Sequence, residues 1–71
     1  MFKRVKESLW MNGVLREYAD IYVENNKEAQ SLDTNDYIQG SKLYVIETAQ
    51  LYVLSREGGE WRSSTNGSVL A

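Results

Sequence analysis

Two stretches of the chain are rich in apolar residues, and neither alternates cleanly between apolar and polar positions. The first, FKRVKESLWMNGVLREYADIYVEN, places Asn12-Gly13 between apolar flanks. Asn-Gly is the strongest short-range hairpin signal, because both central residues of a type I′ turn need positive φ. Pairing Met11 with Val14 sets Trp10 opposite Leu15, Leu9 opposite Arg16 and Phe2 near Val23. One face then carries Phe2, Trp10, Leu15, Ala19, Ile21 and Val23. The other carries Val5, Leu9, Met11, Val14, Tyr18 and Tyr22 among charged residues. A helix competes for this segment, since Val5, Leu9, Trp10, Val14, Tyr18, Ile21 and Tyr22 also fall near a 3.6-residue period. Gly13 in mid-segment and the many β-branched and aromatic residues favour strands.

The second stretch, GSKLYVIETAQLYVLSREGGEW, spans residues 40–61. A turn at Thr48-Ala49, or across Glu47 to Gln50, sets Ile46 opposite Leu51 and Tyr44 opposite Val53 on one side of a hairpin. Val45 then faces Tyr52, and Leu43 faces Leu54, on the other side. A second turn across Arg56 to Gly59 returns Trp61 beside Leu54, giving a three-stranded meander. A free-standing hairpin hides one face and wets the other, yet this one is apolar on both. One face is expected to pack on the N-terminal hairpin. The other is covered either by the same chain, closed as a small barrel or sandwich, or by another protein.

Residues 25–39 are polar and read as a connection, in which Asn26 can cap a helical turn through KEAQSL, with Leu32 and Ile38 as small anchors. After Trp61, SSTNGSVLA has the composition of a flexible end. The expected fold is mainly β, one small domain over residues 1–62 built from an antiparallel meander and hairpins. It leaves room for a short helix at 26–32, with residues 63–71 as a tail.

With 71 residues, a single core is near the size at which it becomes marginal, so self-association is expected. The chain has neither cysteine nor histidine, which removes disulfides, the usual metal ligands and the commonest general base. The net charge is −2, from 8 basic and 10 acidic residues of mixed order, and gives no electrostatic drive toward nucleic acid. The basic cluster Lys3, Arg4 and Lys6 is followed by an apolar stretch broken at Asn12, Gly13, Arg16 and Glu17. It therefore reads as a mature N-terminus made in the cytosol instead of a signal peptide. No apolar run approaches the roughly 18 residues of a membrane span.

Chemical motifs are absent or incomplete. Asp33, Asn35 and Asp36 resemble a calcium loop, but Tyr37, Ile38 and Tyr44 stand where its fifth, sixth and twelfth residues should be. Asn66-Gly67-Ser68 fits a glycosylation sequon without any sign of secretion. Gly58-Gly59 has neither phosphate-binding fingerprint, and a hairpin turn explains it. The carboxylate pairs Glu57 with Glu60 and Asp33 with Asp36 lie in expected turns, where they are solvated. A chain this short also has little material for a concave site. The expectation is a protein with no catalysis, cofactor, metal or small-molecule substrate.

The run Gly40-Ser41, Tyr44-Val45-Ile46-Glu47-Thr48, Tyr52-Val53-Leu54 and Gly59-Glu60-Trp61 resembles a pattern in small proteins of tailed bacteriophages and prophages, mainly of Gram-positive bacteria. Asp20-Ile21-Tyr22-Val23, with the polar linker after it, is similar to the approach segment of those proteins. The resemblance covers residues 20–61; the family often has Gly in the first hairpin turn, where this chain has Ala49. Members are usually encoded among virion structural genes. The resemblance thus implies a capsid-associated, decoration or connector role in the virion after synthesis in the host cytoplasm, with capsid or head proteins as partners. In that reading Trp10, Tyr22, Tyr44, Tyr52, Leu54 and Trp61 are the interface candidates. The alternative is a small phage or bacterial regulatory protein that binds a host protein. Nucleic-acid binding through Lys3, Arg4 and Lys6 ranks last, because Glu7, Glu17 and Asp20 lie close by.

Overall fold

Asn12 and Gly13 adopt φ values of 54° and 80°, as a type I′ turn requires, and from that turn two ten-residue strands run antiparallel. They are β1 (Phe2–Met11) and β2 (Val14–Val23) in the computed structural model, which describes residues 1–70. Near the turn the pairing is the expected one, with Met11 on Val14, Trp10 on Leu15 and Leu9 on Arg16. Between Val5 and Glu7 the register slips, leaving Lys6 as an extra residue on β1. Phe2 consequently pairs with Tyr22 instead of lying near Val23, and Val5 pairs with Ala19. Because side chains alternate with a period of two, this single insertion exchanges the faces of Phe2 and Val5. The bulged Lys6 places its ammonium 3.2 Å from Asp20 and 5.4 Å above the Tyr18 ring.

The next strand, β3 (Lys42–Val45), joins β2 in parallel, from Asp20 on Lys42 to Val23 on Val45. Parallel neighbours need a crossover of a dozen or more residues, and residues 24–41 supply it. The N-terminal hairpin therefore extends the sheet sideways and does not pack over the meander. No barrel or sandwich forms, and one of the four strand pairs is parallel. With β4 (Gln50–Leu54) and β5 (Trp61–Ser63) the result is a mainly β, five-stranded sheet ordered β1-β2-β3-β4-β5.

Between β3 and β4 the register is shifted by two residues from the expected one. Val45 pairs with Gln50 and Tyr44 with Leu51, and Ile46 leaves the strand to enter a four-residue turn. The shift is even, so every strand residue keeps its face, and Leu54 still pairs with Trp61. Ala49 closes that turn at φ 54°, a left-handed conformation that costs a non-glycine residue about 1–2 kcal/mol. Ala49→Gly is expected to stabilise the chain by about 0.5 kcal/mol or more after the larger chain entropy of glycine is offset. That is a rise of several degrees in Tm for a domain of this size, measurable by thermal circular dichroism.

The crossover covers one face of the sheet. Asn25, in extended conformation, caps α1 (Asn26–Gln30) by accepting from the Glu28 N–H at 2.9 Å. The cap is therefore one residue earlier than expected, and Asn26 is the first helical residue. Ala29 and Tyr37 are buried against Ile21, Val23, Leu43, Val45, Leu54 and Trp61, with Leu32 at the margin. The Tyr37 ring packs 6.0 Å from that of Trp61. Gly40, at φ 92°, passes the Tyr18 ring. Ser41 is fully buried; its hydroxyl donates to the Glu17 carbonyl at 3.2 Å and accepts from the Ala19 N–H at 3.3 Å. Ser41, together with the Ile38 N–H that donates to the Glu17 carbonyl at 2.9 Å, fastens the crossover to β2, while the Gly40 N–H donates to the Leu54 carbonyl of β4 at 3.1 Å. Residues 64–70 turn back on β5, where the Leu70 N–H donates to the Trp61 carbonyl at 2.9 Å and Val69 bridges Arg62.

Candidate docking face

The other face of the sheet is uncovered. Strand pairing aligns Phe2, Tyr22, Tyr44 and Leu51 in one row across β1, β2, β3 and β4. The Phe2 and Tyr22 rings are 5.9 Å apart and those of Tyr22 and Tyr44 6.1 Å, tilted by 52° and 59°. Phe2 is 62% exposed and Tyr22 42%. Tilted pairs at this spacing contribute about 0.5–1.5 kcal/mol beyond their burial, so the row is ordered before any partner arrives. The adjacent row reads Arg4, Asp20, Lys42, Val53 and Arg62. Between the rows, Asp20, Tyr22, Lys42, Tyr44 and Leu51 line a shallow depression of about 220 Å³. That is room for one side chain and less than the roughly 300 Å³ at which small-molecule pockets begin.

Beyond the end of β3 the β1–β2 hairpin continues as an arm. Leu9 and Val14 lie exposed on the side of the open face, and Trp10 and Leu15 on the opposite side. Trp10 is 74% exposed, the most of any large apolar residue among those described.

The six sequence candidates divide accordingly. Tyr22 and Tyr44 lie together on the open face, and Trp10 stands on the arm. Tyr52 points to the crossover side, half-buried against the core. Leu54 and Trp61, 1% and 4% exposed, are core residues and present nothing to a partner. Their place follows from the crossover, which seats Tyr37 on Trp61 and fills the side the meander would otherwise expose. Phe2, Arg4 and Lys42 belong to the open face without having been expected there. Only the bulge at Lys6 brings Phe2 to it, and a bulge has no signature in the residue types.

Of the carboxylates weighed as acid–base pairs, Glu57, Glu60 and Asp33 have other partners. Glu57 accepts from the Gln39 N–H at 2.6 Å, Glu60 pairs with Arg62 at 2.8 Å, and Asp33 caps a single 3₁₀ turn (Thr34–Asp36) through the Asn35 N–H at 2.9 Å. On the crossover side Lys3 donates to Glu17 at 2.7 Å, which raises the lysine pKa from its ordinary 10.5. Burial raises that of Tyr37 from 10.0, against a smaller opposing effect of the Lys3 charge. Both groups hold their protons more tightly folded than unfolded, so unfolding releases protons above about pH 10. Stability is therefore expected to hold up to that pH and to fall as pH rises through it, seen as a lower urea midpoint at pH 11 than at pH 9. Tyr37→Phe should lessen the drop.

Compared with protein-family models, with curated proteins and with solved structures, the chain matches none.

Proposed function

We propose that this chain is a non-enzymatic docking component of a larger assembly: a capsid-decorating or otherwise head-associated protein of a tailed phage, held there by the open face of its sheet. The observation that carries the reading is the uncovered row of Phe2, Tyr22, Tyr44 and Leu51. A domain with its own core on one face has no folding use for three ordered aromatic rings on the other, and contiguous apolar surface of this kind marks interfaces. The resemblance of residues 20–61 to small phage virion proteins supports the same role. Gly40-Ser41 and Trp61, which carry part of that resemblance, hold the fold together, so the pattern describes a scaffold that presents the aromatic face. The arm with Trp10 is a second contact in this reading.

Quantitative mass spectrometry of purified phage particles, induced from the strain that carries the gene, tests it. The expected result is this chain present at a fixed ratio to the major capsid protein: near one per subunit or capsomer for a decoration protein, or about a dozen copies for a neck component. Its absence from otherwise complete particles would overturn the virion role and leave a regulatory binder.

A further inference from the structure

The open face differs in charge from the rest of the molecule. Strand pairing and the ion pairs place Arg4, Lys6, Arg16, Lys42 and Arg62 on it, against Glu7, Asp20 and Glu60, a net of +2 on a chain whose total is −2. The crossover side is the reverse, with Glu17, Glu24, Glu28, Asp33 and Asp36 against Lys3, Lys27 and the N-terminal amine. Two of the five cations are already engaged: Lys6 pairs with Asp20 at 3.2 Å and Arg62 with Glu60 at 2.8 Å. Among the described residues Arg4, Arg16 and Lys42 have no carboxylate within ion-pair distance, and the Arg16 Nε is buried without an acceptor. Arg4 and Lys42 stand in the row beside the aromatic one, with Asp20, neutralised by Lys6, between them, and Lys42 borders the depression beside Tyr44.

Resting on the docking reading above, we propose that the partner of this face is an acidic polypeptide segment. It seats one apolar side chain in the depression between Tyr22, Tyr44 and Leu51 and sets its carboxylates on Lys42 and Arg4. Arg4 and Lys42 lie on strands two spacings apart, about 9.5 Å, a distance that three to four extended residues cover. The segment therefore carries two acidic residues about that far apart with the apolar anchor between them.

Charge complementarity decides the occupant. A second copy applied face to face would set one +2 surface against another. A single nucleic-acid strand needs flat faces for its bases, and rings that tilt against each other by 52° and 59° present edges more than a stacking platform. An acidic segment with an apolar anchor meets both the unpartnered cations and the aromatic row.

The test is selection of a displayed random dodecapeptide library on the folded full chain, with affinities of the enriched peptides measured on purified variants. Enrichment of Asp or Glu on both sides of one Leu, Phe or Trp is expected. Affinity should fall at least tenfold in Lys42→Glu and in Arg4→Glu, both at surface positions and checked for fold by circular dichroism, and should weaken between 50 and 500 mM salt. Neutral or basic peptides whose binding is lost in Tyr44→Ala but unchanged in Lys42→Glu would overturn the acidic preference and leave the docking face standing. Peptides indifferent to Tyr44→Ala, or no enrichment at all, would overturn both. Binding of a dodecamer of thymidylate more tightly than any selected peptide would assign the face to nucleic acid instead.

Discussion

Trp61→Ala is expected to leave the isolated chain unfolded or at the edge of unfolding. The indole is 4% exposed, pairs with Leu54 across β4 and β5, and packs 6.0 Å from the Tyr37 ring. Truncating a buried aromatic residue to alanine costs about 3–5 kcal/mol. A chain of 71 residues has a total stability of about 4–10 kcal/mol at the usual value per residue. The loss is largest here because the indole is part of the buried cluster that holds Tyr37 of the crossover and Leu54 of β4, and against which Leu70 of the returning end packs. Urea denaturation followed by tryptophan-independent circular dichroism measures it. Trp61→Phe keeps an aromatic ring and removes an indole N–H that has no acceptor, so its loss should fall well short of that of alanine. A Trp61→Ala chain of near wild-type stability would show that the crossover does not close on the sheet in this way.

The opposite outcome is expected on the other face. Tyr22→Ala combined with Tyr44→Ala should retain the circular dichroism spectrum and cooperative unfolding, because these rings touch each other and Phe2 and are no part of the buried cluster. The expected folding loss is about 1–3 kcal/mol from the two tilted ring contacts. Docking should suffer far more. Aromatic anchors at the centre of an interface cost about 2 kcal/mol or more each on truncation, so with both removed affinity for the partner or particle should drop by about 1,000-fold. Tyr52→Ala, on the crossover side, should show the reverse order of effects, with stability lost and docking retained through an intact aromatic row.

What was legible in the chain follows from local rules. Asn12-Gly13 announced the first hairpin and its register near the turn, because positive φ at two consecutive residues is rarely tolerated otherwise. Alternation in residues 42–54 put Leu43, Val45, Tyr52 and Leu54 on one face and Tyr44 with Val53 on the other, and the even slip in register preserved that division. The relation between the two halves was not legible from alternation, which is blind to whether hairpins lie side by side or face to face. Its signal was the length of residues 24–41, enough for a parallel crossover. With the crossover in place, Tyr37 in a polar linker becomes core, and Leu54 and Trp61 cease to be surface candidates. Phe2 depended on a one-residue bulge, and Ser41 on a hydroxyl that replaces ladder hydrogen bonds. Neither is visible in hydropathy. The two apolar faces of the meander are therefore accounted for separately, one by the chain's own crossover and one by the proposed partner.

Hydroxyl-radical footprinting, read residue by residue by mass spectrometry on the free chain and on the chain bound to purified particles, tests the docking face most directly. The expected result is strong protection of Phe2, Tyr22 and Tyr44 in the bound state, with Leu32 on the crossover side as reactive as in the free chain. Bound chains whose aromatic row stays fully reactive while the crossover side is protected would contradict it.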